Sequence, residues 1–445
     1  MRPCRFLRGA RPLAAFIAAA LLFVALTATT AVAVTATTAV GSPSATAYKA
    51  SSRAKIAVAK KALRRCLKRA RRSRSARTRA NRRRACRRAY KKRARAARRP
   101  PKKSTKTPTT TSTAATSTNS FGSNIYGFSA GGTVLQYEDP TTFGRDLDTI
   151  QGAHARWLRF DINWAVIQGG GPSSYDWAPF DRVVQGAVAR GINPLGVIAY
   201  TPSWARPSGT EDKYAPSADA YATFAAAAVR HYAAMGVHTY EVWNEPNIVD
   251  FWKPAPNPAA YTALLRAAYQ AIKQADPSAT VLTGGTAPAA SDGTNVSPVA
   301  FLSGIYANGG GASFDAVAHH PYCWPAYPGD AQSWSAWYQA YGTSPSLRST
   351  MVANGDSAKK IWATEFGAPT NGPTGSYVSE DTQAQMISRA YALWRTYDWA
   401  GPMFSYDGRD VGTDTSTREN FFGLLRTDFS QKPAYAAYQA AASSA

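Results

Sequence analysis

From Phe121 to Ala445, short apolar or β-branched runs alternate with longer alanine-rich stretches of helical period. The short runs are Ile125–Ser129, Trp157–Asn163, Asn193–Tyr200, Thr239–Trp243, Thr280–Gly284, Ala316–His320, Lys360–Thr364 and Pro402–Tyr406. Runs of this length, bounded by turn residues, read as buried strands. Between them lie helical patterns such as Ala218–Met235, Pro258–Ala275 and Thr382–Tyr397, and a last helix is expected over Pro433–Ala442. Eight strand–helix units predict a single (β/α)8 TIM barrel of the α/β class spanning residues 121–445. A doubly wound open sheet is the alternative. It would want a G-x-G-x-x-G turn after its first strand, and Gly131-Gly132 is not one.

The alternation is absent before Phe121. Arg2, Arg5, Arg8 and Arg11 precede an apolar run from Leu13 to Leu26, whose 14 residues are too few to span a bilayer. Ala31-Val32-Ala33 has the small-x-small form of a cleavage site. Residues 1–40 are therefore expected to be a secretory signal peptide, or an N-terminal anchor if uncleaved, with the body secreted or held at the cell surface. Residues 41–104 form an Arg/Lys/Ala-rich segment, and 105–120 a Ser/Thr/Pro linker that has no core to build.

Charge changes the picture. The chain's formal charge is +25, yet 28 of its 52 Lys and Arg lie between Lys49 and Lys106, and no Asp or Glu precedes Glu138. After Lys106, 20 basic residues face 27 acidic ones, so the body carries −7. The basicity belongs to a tail. That tail suits an anionic cell-wall polymer or membrane surface. It lacks the aromatic interleaving of a base-stacking surface, which disfavours nucleic acid. Cys66 and Cys86 in the tail could pair in an oxidising compartment; Cys323 in the body is left over.

In a (β/α)8 barrel the chemistry sits at the C-terminal ends of the strands. Those ends supply Arg159, Asp161, Asn163 and Trp164; Tyr200 and Trp204; Asn244-Glu245-Pro246-Asn247; His319-His320-Pro321-Tyr322 and Trp324; Glu365; and Tyr406, Asp407 and Arg409. Carboxylates among aromatic rings suit a carbohydrate substrate, with Trp204, Trp252 and Trp324 as candidate sugar platforms and Tyr406 as a further substrate contact. Of only seven glutamates, Glu245 and Glu365 close apolar strands. Two carboxylates across one mouth can divide acid and nucleophile roles, because their mutual repulsion keeps one protonated. Asn244 and Glu245 cannot both point inward from a regular strand. Pro246 must turn the chain, which lets Asn244 reach a sugar 2-hydroxyl. Glu241, two pleats deeper, is expected to be buried and paired, with Arg159 as the candidate partner. His320 is expected to face the site and His319 the core. No metal-ligand motif and no cofactor fingerprint is present, so no metal or cofactor is expected.

The stretch Glu241-Val242-Trp243-Asn244-Glu245-Pro246-Asn247, with Phe251-Trp252 after it, resembles glycoside hydrolase family 39, the β-xylosidase and α-iduronidase group. The brevity of the barrel resembles family 5, the cellulase family. Both belong to the large clan of retaining (β/α)8 glycoside hydrolases with catalytic glutamates on strands four and seven. The resemblance spans roughly Asn124 to Tyr438. It implies Glu245 as acid/base, Glu365 as nucleophile, Asn244 beside the acid, and substrate contacts from Arg159, His320 and Tyr322. Two departures stand out. The chain ends soon after Pro433–Ala442, without the additional β-sandwich that family 39 xylosidases usually carry, and Tyr406 stands where many clan members have Trp. The expectation is a monomeric retaining hydrolase of β-glycosidic bonds in a polysaccharide or oligosaccharide. The rival is a non-catalytic carbohydrate-binding barrel anchored by its basic tail.

Overall fold

The eight apolar runs form eight strands in the structure, a computed structural model that describes residues 122–131 and 134–443. The expected signal peptide or anchor, basic segment, linker and Cys66–Cys86 pair lie outside the described residues. The strands are β1 (Tyr126–Ser129), β2 (Trp157–Asn163), β3 (Asn193–Ala199), β4 (Thr239–Asn244), β5 (Thr280–Gly285), β6 (Val317–His319), β7 (Ile361–Phe366) and β8 (Ala400–Tyr406). They pair in parallel in the order β5-β4-β3-β2-β1-β8-β7-β6. The two edges meet through the isolated parallel bridges Leu282–Ala316 and Thr286–His319, so the sheet is a nearly closed TIM barrel. β6 is shorter than its apolar run suggests, and the seam lies beside it.

A helix follows each strand: Pro140–Gly152, Ala178–Val188, Ala218–Ala233, Pro258–Ala275, Pro298–Ala307, the pair Ala336–Tyr341 and Leu347–Ala353 after β6, Glu380–Trp394 and Pro433–Ser443. Local chemistry sets their starts. Asp139 and Asn257 each accept two backbone N–H groups ahead of a proline at the first helical position. The helix after β7 starts two residues before the expected Thr382, because the Ser379 hydroxyl caps the Thr382 N–H and puts Glu380 and Asp381 in the first turn. It also ends early, at Trp394, and Tyr397 stacks on Trp399 with centroids 4.7 Å apart.

The barrel interior is graded. Near the strand starts an apolar plug holds Leu195, Leu282, Ala316, Ala318, Trp362 and Phe404, with Trp157 against it. Glycines make room for its rings: a Cβ at Gly401 would lie 2.3 Å from Trp362, and one at Gly127 2.6 Å from Phe404. One pleat above Trp157, at Arg159, the interior turns polar.

The segment after β8, which carries Arg418, Glu419 and Phe422 to the barrel mouth, is pinned by a buried ion pair. Lys432 Nζ donates to Asp410 Oδ1 at 2.7 Å, Thr370 Oγ1 at 2.8 Å and the Phe421 carbonyl at 3.2 Å. Burial pushes Asp410 up to about 6, with Lys432 opposing the shift. Lys432→Met should therefore destabilise the fold by about 3–5 kcal/mol at pH 7.5, since it leaves a buried carboxylate without its cation. The loss should shrink at pH 5, where Asp410 takes up a proton. Urea denaturation at both pH values checks this; an unchanged stability at pH 7.5 contradicts it.

Candidate active site

Arg159 projects from β2 into the barrel and spends all five of its N–H donors there. Nε donates to Glu241 Oε2 at 2.9 Å. Nη2 donates to Glu241 Oε1 at 3.1 Å and Asn244 Oδ1 at 2.8 Å. Nη1 donates to Ser129 Oγ at 3.1 Å and Glu365 Oε1 at 2.7 Å. Glu241, fully buried, also accepts the Gly285 N–H at 2.7 Å. A planar fork with five donors suits this set of acceptors, where a lysine ammonium has only three donors on one point.

The end of β4 breaks the pleat to deliver two adjacent side chains. Glu241 points inward, and strict alternation would send Trp243 inward too. Trp243 instead takes φ +72° and packs in the helical shell against Tyr221 and Trp252, its Nε1 donating to the Phe251 carbonyl. Glu245 takes φ +48°. Left-handed backbone at two non-glycine residues stores on the order of 1–3 kcal/mol each. With it, Asn244 and Glu245 both reach the mouth. Gly285, at the end of β5, accepts the Glu245 N–H at 2.9 Å. A Cβ at Gly285 would lie 2.2 Å from His320 Nε2, so glycine there makes space for that ring.

The two carboxyls face each other with oxygens within 4.8 Å. Glu245 Oε1 is hydrogen-bonded to His320 Nδ1 at 2.8 Å. Glu365 Oε2 accepts from the Tyr322 hydroxyl at 2.9 Å and lies 3.4 Å from His320 Nδ1. Burial pushes Glu245 up to about 8; Arg159 opposes this at longer range, while Glu419, Glu241 and Asp250 add to it. Burial raises Glu365 as well, and Glu245 adds to this, but His320, Arg159 and the Tyr322 hydrogen bond pull it back. Glu245 is thus the carboxyl that keeps a proton near neutrality, and Glu365 the one stabilised as an anion. Burial lowers His320, with Glu365 and Glu241 opposing the shift. His319 is turned away, between Thr286 Oγ1 at 2.8 Å and the Ala336 carbonyl at 2.9 Å.

A cavity of about 690 Å³ opens above this pair. Arg159, Asn244, Glu245, Tyr322, Trp324, Glu365 and Tyr406 line it, while His320 lies behind Glu245. Trp204 and Trp252 do not line it: the Trp204 Nε1 donates to the Gln168 carbonyl and its ring meets Trp164 edge-on, because the chain after β3 turns outward in a short 3-10 helix, and Trp252 is buried in the shell edge-on to Trp243 and Tyr261. The lining also includes Asp161 and Tyr200, which the sequence places at strand ends without assigning them a role, and Trp334 and Arg418, which the reading of the sequence did not select. Asp161 shares the inward parity of Arg159, whereas Tyr200 is out of phase with the Leu195, Val197 and Ala199 row that pairs with Arg159, Asp161 and Asn163, and it reaches the mouth only because the chain turns after β3; Trp334 and Arg418 lie on long loops without periodicity. Glu245, His320 and Glu365 are also the grouping of metal-ligand type among the described residues. Both Glu365 oxygens and the His320 nitrogen facing Glu245 are already hydrogen-bonded, and the nearby positive charge is the Arg159 guanidinium.

Arg159→Lys should lower the unfolding free energy by about 1–3 kcal/mol for each acceptor it leaves empty. Chemical denaturation measures this, and a change within about 0.5 kcal/mol, as at an ordinary surface site, contradicts it.

Known proteins place this architecture. No curated protein matches the chain. Among solved structures, a family 39 glycoside hydrolase from the gut symbiont Bacteroides cellulosilyticus WH2 is 25% identical with a TM-score of 0.57. The match covers 72% of this chain and 64% of that enzyme, so the chain spans less than two thirds of its length. A glucosidase from Croceicoccus marinus shares the fold at 17% identity and a TM-score of 0.53, over 72% and 67% of the two chains. So does a subfamily 18 member of family 5 from Bifidobacterium longum subsp. longum, solved with Manβ1-4GlcNAc, at 16% identity and a TM-score of 0.52, over 72% and 78%. The sequence profile of cellulase (glycosyl hydrolase family 5) matches residues 114–401. With well over half its length under that profile and a glutamate pair at the barrel mouth, the chain belongs to glycosyl hydrolase family 5 and is a glycoside hydrolase.

Proposed function

We propose that this glycoside hydrolase cleaves β-glycosidic bonds in a polysaccharide or oligosaccharide with retention of configuration. The observation that carries the reading is the approach of Glu245 and Glu365 oxygens to within 4.8 Å across one cavity. That spacing fits the ~5–5.5 Å of a double-displacement pair and falls short of the ~6.5–9.5 Å that would admit a water between two inverting carboxyls.

The steps follow from the hydrogen bonds. Glu245 holds a proton because it is buried, and His320 fixes one of its oxygens, leaving the other to face the glycosidic oxygen. Glu365 attacks the anomeric carbon while Glu245 protonates the leaving oxygen, which gives a glycosyl-enzyme ester and a free aglycone. Arg159 and Tyr322 aim the Glu365 carboxylate. Glu245, now ionised, takes a proton from water, and the water displaces Glu365. The Asn244 carbonyl is occupied by Arg159, so its amide N–H groups are left to meet the sugar 2-hydroxyl. The non-catalytic alternative gives no role to a protonated buried acid beside an anchored carboxylate.

Export and surface retention belong to the same proposal: the apolar leader delivers the chain outside the cytoplasm, and residues 49–106 hold it on an anionic surface.

Two predictions test the chemistry. The pH profile of kcat/KM on an aryl β-glycoside should fall on the alkaline side with a limb near 8, since Glu245 must be protonated to act. Glu245→Ala should abolish that limb on a dinitrophenyl glycoside, whose leaving group needs no acid, and Glu245→Gln should lose about 10²–10⁴-fold on an unactivated one. Glu365→Ala should be inactive and recover turnover with azide; full activity in both variants sinks the assignment. For the tail, the whole chain should bind an anionic polymer resin in a salt-sensitive way, and deletion of residues 49–106 should abolish binding without changing hydrolysis. Equal retention of the deleted chain contradicts the docking role.

A further inference from the structure

Asp161 is a cavity-facing acceptor without a donor from the described residues. It stands on β2 with the inward parity of Arg159, one position nearer the mouth, opposite Val197 of β3. It is 6% exposed, lines the cavity, and accepts no hydrogen bond from any described residue. A carboxylate that faces the cavity with no protein donor on it is free to accept from a ligand's hydroxyls. Burial pushes it up to about 6, with Arg159 and Lys213 opposing the shift and Glu241 and Asp212 adding to it, which leaves it mostly ionised at neutral pH. Just past the end of the neighbouring strand β3, Tyr200 also lines the cavity. The Tyr200 ring is wedged against Trp243 at 5.7 Å, with Lys213 Nζ 5.0 Å from its centroid, and its hydroxyl likewise has no partner among the described residues.

Position identifies what meets this pair. Arg159 Nη1 is bonded to Glu365 Oε1, so a sugar carried on Glu365 lies over Arg159 and against the next inward residue of β2. The ligand is therefore the glycone. Its charge follows from the lining, where Asp161, Asp250, Glu365 and Glu419, beside the protonated Glu245, face two guanidiniums, one of them Arg159 with every donor already engaged. A uronate or sulfated ring would meet repulsion there.

We propose that Asp161 and the Tyr200 hydroxyl form a hydroxyl-reading site, in which the Asp161 carboxylate accepts from two neighbouring hydroxyls of a neutral glycone. This rests on the hydrolase reading above and names the group that selects its substrate.

The test uses the full-length enzyme, a neutral aryl β-glycoside and its monodeoxy analogues. In the wild type, removing a hydroxyl read by Asp161 should lower kcat/KM by about 10–100-fold. Asp161→Ala should lose about the same factor on the parent glycoside. It should then show no further loss on those particular analogues, while keeping the wild-type penalty at other positions. Asp161→Asn, nearly isosteric, should fall between, and Tyr200→Phe should show a smaller coupling of the same kind. Thermal melting of each variant separates misfolding from lost recognition, and the wild-type deoxy series together with Asp161→Asn decides the matter if Asp161→Ala does not fold. An equal loss on the parent and every analogue, or no loss at all, overturns the proposal while leaving the hydrolase reading intact. A wild type that turns over no glycoside overturns both.

Discussion

One guanidinium organises the barrel mouth. Arg159 is buried where water cannot compensate it, so each N–H must find an acceptor, and the five it finds come from β1, β4 and β7. Glu241 answers it from below with both oxygens, Asn244 and Ser129 from the sides, and Glu365 from across the barrel. A buried network of this kind is worth little unless complete and is costly when broken. It therefore fixes where the strand ends stand relative to each other, and the apolar plug beneath gives it a floor.

The same placement divides two chemically identical carboxyls into two roles. Arg159 touches Glu365 and not Glu245. Glu365 is further held by Tyr322, whereas the side chain of Glu245 is hydrogen-bonded to His320 alone among the described residues. Desolvation raises both carboxyls, but the hydrogen bonds and cation that oppose it are gathered on one side. The backbone serves that asymmetry: left-handed φ at Trp243 and Glu245 turns Trp243 into the shell and Glu245 toward its partner, and the bare Gly285 leaves room for His320.

The strands and the glutamate pair were legible because each rests on a local rule. An apolar run followed by a polar residue marks a strand end, and Glu245 and Glu365 each stand at one. The Arg159–Glu241 partnership could be anticipated from inward parity alone. The reading failed where geometry depends on long loops. Trp204 has the composition of a sugar platform, but the turn after Pro202 carries it to the outer face. Trp334 and Arg418 reach the cavity from segments whose path no periodicity encodes. Asp161 was visible as a strand-end residue, but its lack of a donor is a property of three-dimensional packing. Helix ends moved by two or three residues where a serine cap or an aromatic stack outweighed the repeat.

The spacing and unequal environments of Glu245 and Glu365 imply double displacement. The most direct measurement is the anomeric configuration of the first-formed sugar, followed by proton NMR during hydrolysis of an aryl β-glycoside in deuterated buffer. The β-anomer should appear first and then mutarotate. Initial release of the α-anomer would mean single displacement by water, and would contradict the roles assigned to the two glutamates.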